Sequence, residues 1–187
     1  MDNLLLQISK KTKLNNNLIS AIKDNFELIE LKKGDIILSE GQRARHIFFV
    51  EKGVLHTYYY HVDKQVTSWF YSENNFITAW SSFYTQKASY EEIKCLENCT
   101  LYKLSYERYQ FLIQNFPDFA NFARCLAEEM LAFLDEYSKG MFFMSAHEKY
   151  NLLLNYFPGI ELRVKLGLIA SFLGISQETL SRVRSKN

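Results

Sequence analysis

The chain has 187 residues, of which 48% are hydrophobic and 16% aromatic, and its formal net charge at pH 7 is +1. This composition predicts a globular protein with a packed core and excludes a disordered chain. No apolar run reaches the roughly 18 residues that span a bilayer, and no positive region precedes an apolar core as in a signal peptide. We therefore expect a cytoplasmic protein that does not contact a membrane.

Apolar residues at every fourth position predict one or two short helices within the first 25 residues. These apolar residues are Leu14, Leu18 and Ile22. From Phe26 to Leu104, short runs of β-branched and aromatic residues alternate with turns, which predicts a β-sandwich or barrel. The turns contain Gly34, Gly41 and Gly53. Residues 72–89, "SENNFITAWSSFYTQKAS", interrupt this series and are expected to form a loop with a turn of helix, which either faces a ligand or only connects strands.

The cysteines and histidines do not form a pattern that predicts a metal site or an enzyme. His56 and His61 are five residues apart, so they lie on opposite faces of one strand and cannot easily share a metal. The three cysteines are an odd number without a CxxC pair, which argues against a disulfide framework and against an iron–sulfur cluster. Cys95 and Cys99 flank a predicted turn, where they are either buried structural residues or a thiol redox sensor. No catalytic residue is predicted.

After Leu104 the apolar period becomes helical, and Ser105 can cap the helix "YERYQFLIQNF". Pro117 then opens a long helix, since proline is favoured at the first helical position. Its apolar residues are spaced by three and four over roughly seven turns. We expect this stripe to pack both on the β-domain and on the same helix of a second chain. The predicted dimer residues are Phe122, Leu126, Met130, Phe133 and Tyr137.

The segment from Ser145 to Asn187 carries six basic and three acidic residues, so the small positive charge is concentrated at this end. The pattern of this segment predicts a helix that stops at Pro158, followed by two short helices on either side of Gly174. Glycine suits a sharp turn between helices because it tolerates positive φ. Leu180 and Val183 are three residues apart and would hold the last helix against the preceding one. The pattern is typical of a helix-turn-helix.

The polar residues of the last helix fall on its outer face, near the half that enters the major groove in a helix-turn-helix. The predicted base-reading residues are Gln177, Glu178, Ser181 and Arg182. Arginine can bond bidentately to guanine, glutamine can pair with adenine and glutamate can accept from cytosine. The predicted phosphate contacts are Lys165, Ser176, Arg184 and Lys186. A helical hairpin with a merely polar surface is the alternative interpretation.

Nearly the whole chain resembles the Crp/Fnr family of bacterial transcription regulators. The resemblance rests on "KKGDIILSEGQRARHIFFVEKGVLHTYYY", with its turn glycines, and on "IASFLGISQETLSRVRSK", with its S-x-E-T-x-S-R core. It implies an α+β chain with an N-terminal β-roll or jelly-roll sensor domain (1–116), a long dimerisation helix (117–144) and an all-α helix-turn-helix domain (145–187). It also places Gln177, Glu178 and Arg182 at base-reading positions.

Two departures from the family limit what the resemblance implies. In cAMP-binding members a Phe-Gly-Glu sequence and a later arginine hold the nucleotide, whereas here Phe76 is followed by Ile77, and Lys87 stands near the arginine's place without its planar fork. cAMP is therefore not expected, no cofactor is predicted, and the effector is unknown. An effector pocket is predicted at Thr78, Trp80, Phe83 and Lys87. The tail has no room for a wing hairpin and resembles short-tailed members of the Bacteroidetes type.

These observations together predict a homodimeric transcription regulator that reads a near-palindromic site in double-stranded DNA, contacts RNA polymerase and is not an enzyme. The roll either senses an effector or acts only as a scaffold. The alternative is a cyclic-nucleotide-like or protein-interaction module whose helical tail does not bind DNA.

Overall fold

The computed structural model describes residues 1–185, apart from the side chains of residues 139, 141 and 142. The predicted phosphate contact Lys186 therefore lies outside the described residues. The strands are β1 (Glu27–Leu31), β2 (Ile36–Leu38), β3 (His46–Lys52), β4 (Leu55–His61), β5 (Lys64–Tyr71), β6 (Phe76–Ile77), β7 (Glu92–Cys95) and β8 (Cys99–Ser105). The helices are α1 (Asp2–Ser9), α2 (Asn16–Asn25), α3 (Trp80–Thr85), α4 (Tyr106–Asn115), α5 (Pro117–Phe143), α6 (Ala146–Tyr156), α7 (Leu166–Leu173) and α8 (Gln177–Arg184).

The eight strands form a roll of two four-stranded antiparallel sheets, in the orders β1-β8-β3-β6 and β2-β7-β4-β5. Phe49 and Leu101 come from the first sheet, Leu55 and Ile93 from the second, and all four are fully buried in one core. Gly53 lies between β3 and β4, where a Cβ would be 2.5 Å from the Sγ atom of Cys99. The predicted β-sandwich is confirmed, and this glycine is needed for a close approach as well as for its positive φ.

Cys95 and Cys99 lie in this core and are almost inaccessible to solvent. The Cys99 thiol donates to the carbonyl of Glu97 at 3.3 Å. The bond between the two thiols and their burial raise the pKa of Cys95. Both thiols are therefore packed in the core between the sheets.

The apolar stripe of α5 packs on the chain's own roll, which is one of the two surfaces predicted for it. Phe122 is 2% exposed and packs against Phe76. Leu126 is packed against the same core, and Phe133 and Tyr137 contact Trp69 of β5. Met130, the remaining residue of the predicted set, lines a cavity beside the roll. Packing of these residues on a twin helix stays a prediction.

A second core joins the C-terminal helices to the outer face of the roll. Val54 and Phe70 of the roll cluster there with apolar residues of α6, α7 and α8. The backbone of β5 is also bonded to α7, because the Ser171 hydroxyl donates to the carbonyl of Gln65 at 3.2 Å and accepts from the amide of Thr67 at 3.1 Å. Residues 145–185 contain helices and no strand, so the described tail has no wing.

An ion-pair triad fixes the segment between α6 and α7 on the roll. The Arg163 guanidinium lies 2.7 Å from Glu73 and 2.5 Å from Glu97, and each of the three side chains is about two-thirds buried. The hydrogen bonds from Arg163 lower the pKa of Glu73 to about 2. Both carboxylates come from loops of the roll, so the triad connects the two parts of the chain directly.

Among the described residues, no helix combines the length and the apolar character needed to cross a bilayer.

Candidate nucleic-acid interface and cavity

The two short helices α7 and α8 are joined by a tight turn that the sequence specifies locally. Gly174 ends α7 with φ +66°, a left-handed conformation that favours glycine. Ser176 caps α8, and its Oγ atom accepts from the amide of Thr179 at 3.2 Å. Leu180 is fully buried and Val183 nearly so, both in the second core. The orientation of α8 is therefore fixed by its inner face, as the spacing of these residues predicts.

The four predicted base-reading side chains, Gln177, Glu178, Ser181 and Arg182, are all exposed on the outer face of α8. A methyl group on Gly167 of α7 would lie 2.8 Å from the Nε2 atom of Gln177. This glycine therefore makes room for the glutamine side chain. Sequence reasoning missed the role of Gly167, because it depends on the crossing of two helices.

The predicted phosphate contacts differ in their availability. Lys165 is exposed at the N-terminus of α7, whereas the Ser176 hydroxyl is already used as a cap. The guanidinium of Arg184 lies 2.7 Å from the carboxylate of Glu161, which also accepts from the Tyr150 hydroxyl. The carboxylate of Glu161 therefore partly neutralises the positive charge that Arg184 would present to a phosphate.

A cavity of about 460 Å³ lies where the roll, α5 and α6 meet. Eight aromatic side chains line its described surface: Trp69, Tyr71, Trp80, Tyr90, Phe133, Tyr137, Tyr156 and Phe157. The ring of Trp69 is 4.9 Å from that of Phe133 and 5.4 Å from that of Phe157. The Trp80 indole donates to the Tyr71 hydroxyl at 3.3 Å. The cavity is therefore lined largely by aromatic rings.

Glu91 is the one charged side chain in the described lining of this cavity. The Ser68 hydroxyl donates to its Oε1 atom at 2.6 Å and lies 3.1 Å from the Thr57 hydroxyl. Burial raises the pKa of Glu91, and the bond from Ser68 opposes this effect. In the part of the chain that the structure describes, Glu91 forms no ion pair. The site combines an apolar surface with one oriented, partly buried carboxylate.

The structure separates the four residues of the predicted effector pocket. Trp80 lines the aromatic cavity, whereas Thr78 lines another cavity of about 440 Å³ beside Arg43. Phe83 is fully buried, with its ring 5.3 Å from that of Tyr106. Lys87 is exposed, and its carbonyl oxygen accepts from Ser82. Three of the four residues are therefore outside the aromatic cavity, because residues 76–89 fold partly into the core.

No group of three potential metal ligands of the His, Cys, Asp or Glu type occurs among residues 1–185.

Residues 28–116 match the family model of the cyclic nucleotide-binding domain. A solved structure of the regulator CLP from Xanthomonas campestris, described as responsive to c-di-GMP, is similar over 92% of this chain and 91% of its own, with a TM-score of 0.69 and 16% identity. The chain has the fold of the Crp/Fnr regulators.

Other solved structures agree with this fold. FixK2 from Bradyrhizobium japonicum is 14% identical, with a TM-score of 0.74 over 86% of this chain and 83% of its own. A protein from Eubacterium rectale, assigned to the Crp/Fnr family of transcriptional regulators, is 20% identical, with a TM-score of 0.68 over 91% of this chain and 82% of its own. No curated protein matches the sequence. The resemblance to the short-tailed Bacteroidetes type stays a prediction.

Proposed function

We propose that the chain is a sequence-specific DNA-binding transcription regulator that acts as a homodimer. The observation that carries this proposal is the outer face of α8, where Gln177, Glu178, Ser181 and Arg182 are all exposed while Leu180 fixes the helix from below. In this proposal α7 and α8 form a helix-turn-helix with α8 in the major groove. The names of the structural neighbours, which include transcriptional regulators, support it.

Each polar side chain of α8 has a distinct role in this proposal. Arg182 bonds bidentately to guanine, Gln177 pairs with adenine, and Glu178 accepts from cytosine. Lys165 lies at the N-terminus of α7, where its charge contacts a phosphate and sets the register rather than the sequence. The regulator would act in the cytoplasm with RNA polymerase as a partner.

The dimer contact is proposed on the face of α5 next to the stripe that packs on the roll. Leu131 is 69% exposed and Leu134 is 50% exposed, although both are apolar. With Ala127 and Ser138 they recur at spacings of four, three and four, which is the period of a coiled-coil seam. Pairing this face would place two α8 helices in successive major grooves about 34 Å apart on a near-palindromic site.

Selection of bound sequences from a random double-stranded DNA library tests this function. We expect the purified chain to enrich a near-palindromic site. Arg182→Ala should weaken binding to that site by about 1–3 kcal/mol and relax one base position. Arg45→Ala removes the same charge from an exposed position on the roll and should leave the selected site unchanged.

Absence of DNA binding above background at low salt would reject the regulator in favour of a module whose helical tail contacts protein. A site that Arg182→Ala binds as well as the unmodified chain would reject the assignment of this residue.

A further inference from the structure

The chemistry of the aromatic cavity differs from what an anionic nucleotide requires. Glu91 puts negative charge at the cavity, and its described lining contains no lysine or arginine. A cyclic nucleotide carries a phosphate, which a nearby carboxylate repels and which needs cationic or amide donors. The cavity volume of about 460 Å³ is nevertheless in the range of small-molecule sites. The charge of a fitting ligand is therefore the opposite of that of a nucleotide.

Aromatic faces provide the second part of the recognition chemistry. The face of a tryptophan or tyrosine ring attracts a cation electrostatically, and cages of such rings recognise quaternary ammonium groups. Trp69 and Trp80 both line the cavity, as do Tyr71 and Tyr137. Partial burial strengthens this attraction because water screens it less. The rings and the carboxylate thus favour the same kind of ligand.

The carboxylate is oriented and still has an acceptor available. Its Oε1 atom accepts from Ser68 at 2.6 Å. Within residues 1–185, no described group donates to its Oε2 atom. This leaves one oxygen of Glu91 available for a cationic donor or for direct contact with a quaternary ammonium ion.

We propose that this cavity binds a small organic cation, an ammonium-bearing or quaternary ammonium compound, as the effector of the regulator. Only the role of the cation as an effector rests on the proposed function, since binding of the cation does not require DNA. The ammonium group contacts Glu91 and the faces of Trp69 and Trp80, and the apolar part of the ligand packs on α5.

The position of the cavity gives the ligand a means of control. Tyr156 and Phe157 belong to the C-terminal part of the chain, Phe133 belongs to α5, and Trp69 belongs to the roll. A ligand that touches all three parts favours the arrangement in which the cavity is closed around it. It therefore changes the placement of the α7–α8 pair relative to the roll.

Tryptophan fluorescence reports on this site directly, because the chain has two tryptophans and both line the cavity. We expect choline and benzyltrimethylammonium to change the fluorescence saturably at millimolar concentration or below. The neutral isostere 3,3-dimethylbutanol has the shape of choline without the charge and should bind much more weakly. cAMP should cause no saturable change.

Two matched variants test whether the carboxylate of Glu91 is responsible for cation binding. Glu91→Gln keeps the bond from Ser68 and removes the charge, and it should weaken choline binding by about tenfold. Glu92→Gln removes a neighbouring charge that does not line the cavity and should leave the affinity unchanged. Thermal melts of both variants check that each remains folded.

Equal binding of choline and its neutral isostere, an unaffected Glu91→Gln variant, saturable cAMP binding, or no response to either cation would each overturn the proposal. Titrations without DNA and DNA selection without ligand can fail separately, so rejection of the cation site is distinguishable from rejection of the regulator.

Discussion

Trp69 illustrates how a single side chain connects three parts of this molecule. It extends from β5, and its ring lies 4.9 Å from Phe133 of α5 and 5.3 Å from Phe172 of α7. Edge-to-face aromatic pairs at such distances contribute about 0.5–1.5 kcal/mol each beyond their area burial. The orientation of the C-terminal helices on the roll therefore depends strongly on this residue.

His56 lies beneath the same interface and gives the fold a pH dependence that can be measured. Burial lowers its pKa from 6.5 to about 4, and Lys94 adds to this effect. The unfolded chain therefore takes up the proton first as the pH falls. The stability that His56 contributes is complete above pH 6.5 and is lost as the pH falls towards 4.

The free energy of unfolding that His56 contributes should fall by about 3 kcal/mol as the pH is lowered from 6.5 to 4. We expect His56→Gln to be less stable than the unmodified chain at neutral pH and to lose less stability on acidification. Urea unfolding at neutral pH and at about pH 4.5 measures both effects. Identical pH dependence of the two proteins would show that His56 is not buried in its neutral form.

Sequence spacing was sufficient to predict which residues lie on the outer face of α8, but it was insufficient to predict which residues line the cavity. Gln177, Glu178 and Arg182 are local in sequence, so helical periodicity alone predicts that they share an exposed face. Glu91 and Trp69 line one cavity only because the fold brings the segment before β7 to Ser68 of β5, across β4. Residues 76–89 gave a misleading signal, since Phe83 belongs to the core.

At the scale of elements, α5 shows the limit of what an apolar period can predict. Its length, its proline start and its stripe were all predicted from spacing. Its partner was predicted to be both the roll and a twin helix, because an apolar face packs equally well on a sheet or on another helix. Phe122 is covered by the roll, whereas Leu131 remains exposed on a neighbouring face. Only the position of the roll distinguishes these two faces.

The triad formed by Arg163 with Glu73 and Glu97 should stabilise the contact between the roll and α7. Removing the guanidinium leaves two carboxylates close together and partly buried. Because these groups are about one-third exposed, we expect Arg163→Ala to cost about 1–2 kcal/mol rather than the value for a fully buried pair.

Hydrogen exchange locates this effect. The amides of α7 and β5 should exchange faster in Arg163→Ala, while those of β1 and β8 should be unaffected. Arg108→Ala is the control, since Arg108 is exposed and its guanidinium donates to the carbonyl of Asn25 at 3.2 Å, away from α7. Unchanged exchange in residues 166–173 would mean that Trp69 and its neighbours hold the contact without the triad.

At the scale of the whole molecule, the roll, α5 and the C-terminal helices share contacts, so they are coupled mechanically. The second core contains residues of both the roll and the tail. A change at the cavity can reach α8 through α6, which packs on α7 and α8, and through α7, which packs on β5. In the proposed dimer, such a change would alter the separation of the two α8 helices and hence their fit to DNA.

The two faces of α5 make the proposed dimer testable independently of folding. Leu131→Glu places a charge on the exposed face, where nothing in the roll is disturbed. We expect it to convert the dimer into a folded monomer, because an unpaired charge in a coiled-coil seam is strongly disfavoured. Phe122→Ala should instead destabilise the fold by about 3–5 kcal/mol, since it leaves a cavity under the roll.

Sedimentation equilibrium and urea unfolding of the two variants separate these effects. Leu131→Glu should lower the mass to that of one chain and also abolish tight binding to a palindromic site, while half-site binding remains weak and salt-sensitive. If Leu131→Glu stays dimeric, the seam is elsewhere on the molecule. If Phe122→Ala dissociates without loss of stability, the stripe itself would be the seam, which its burial against Phe76 argues against.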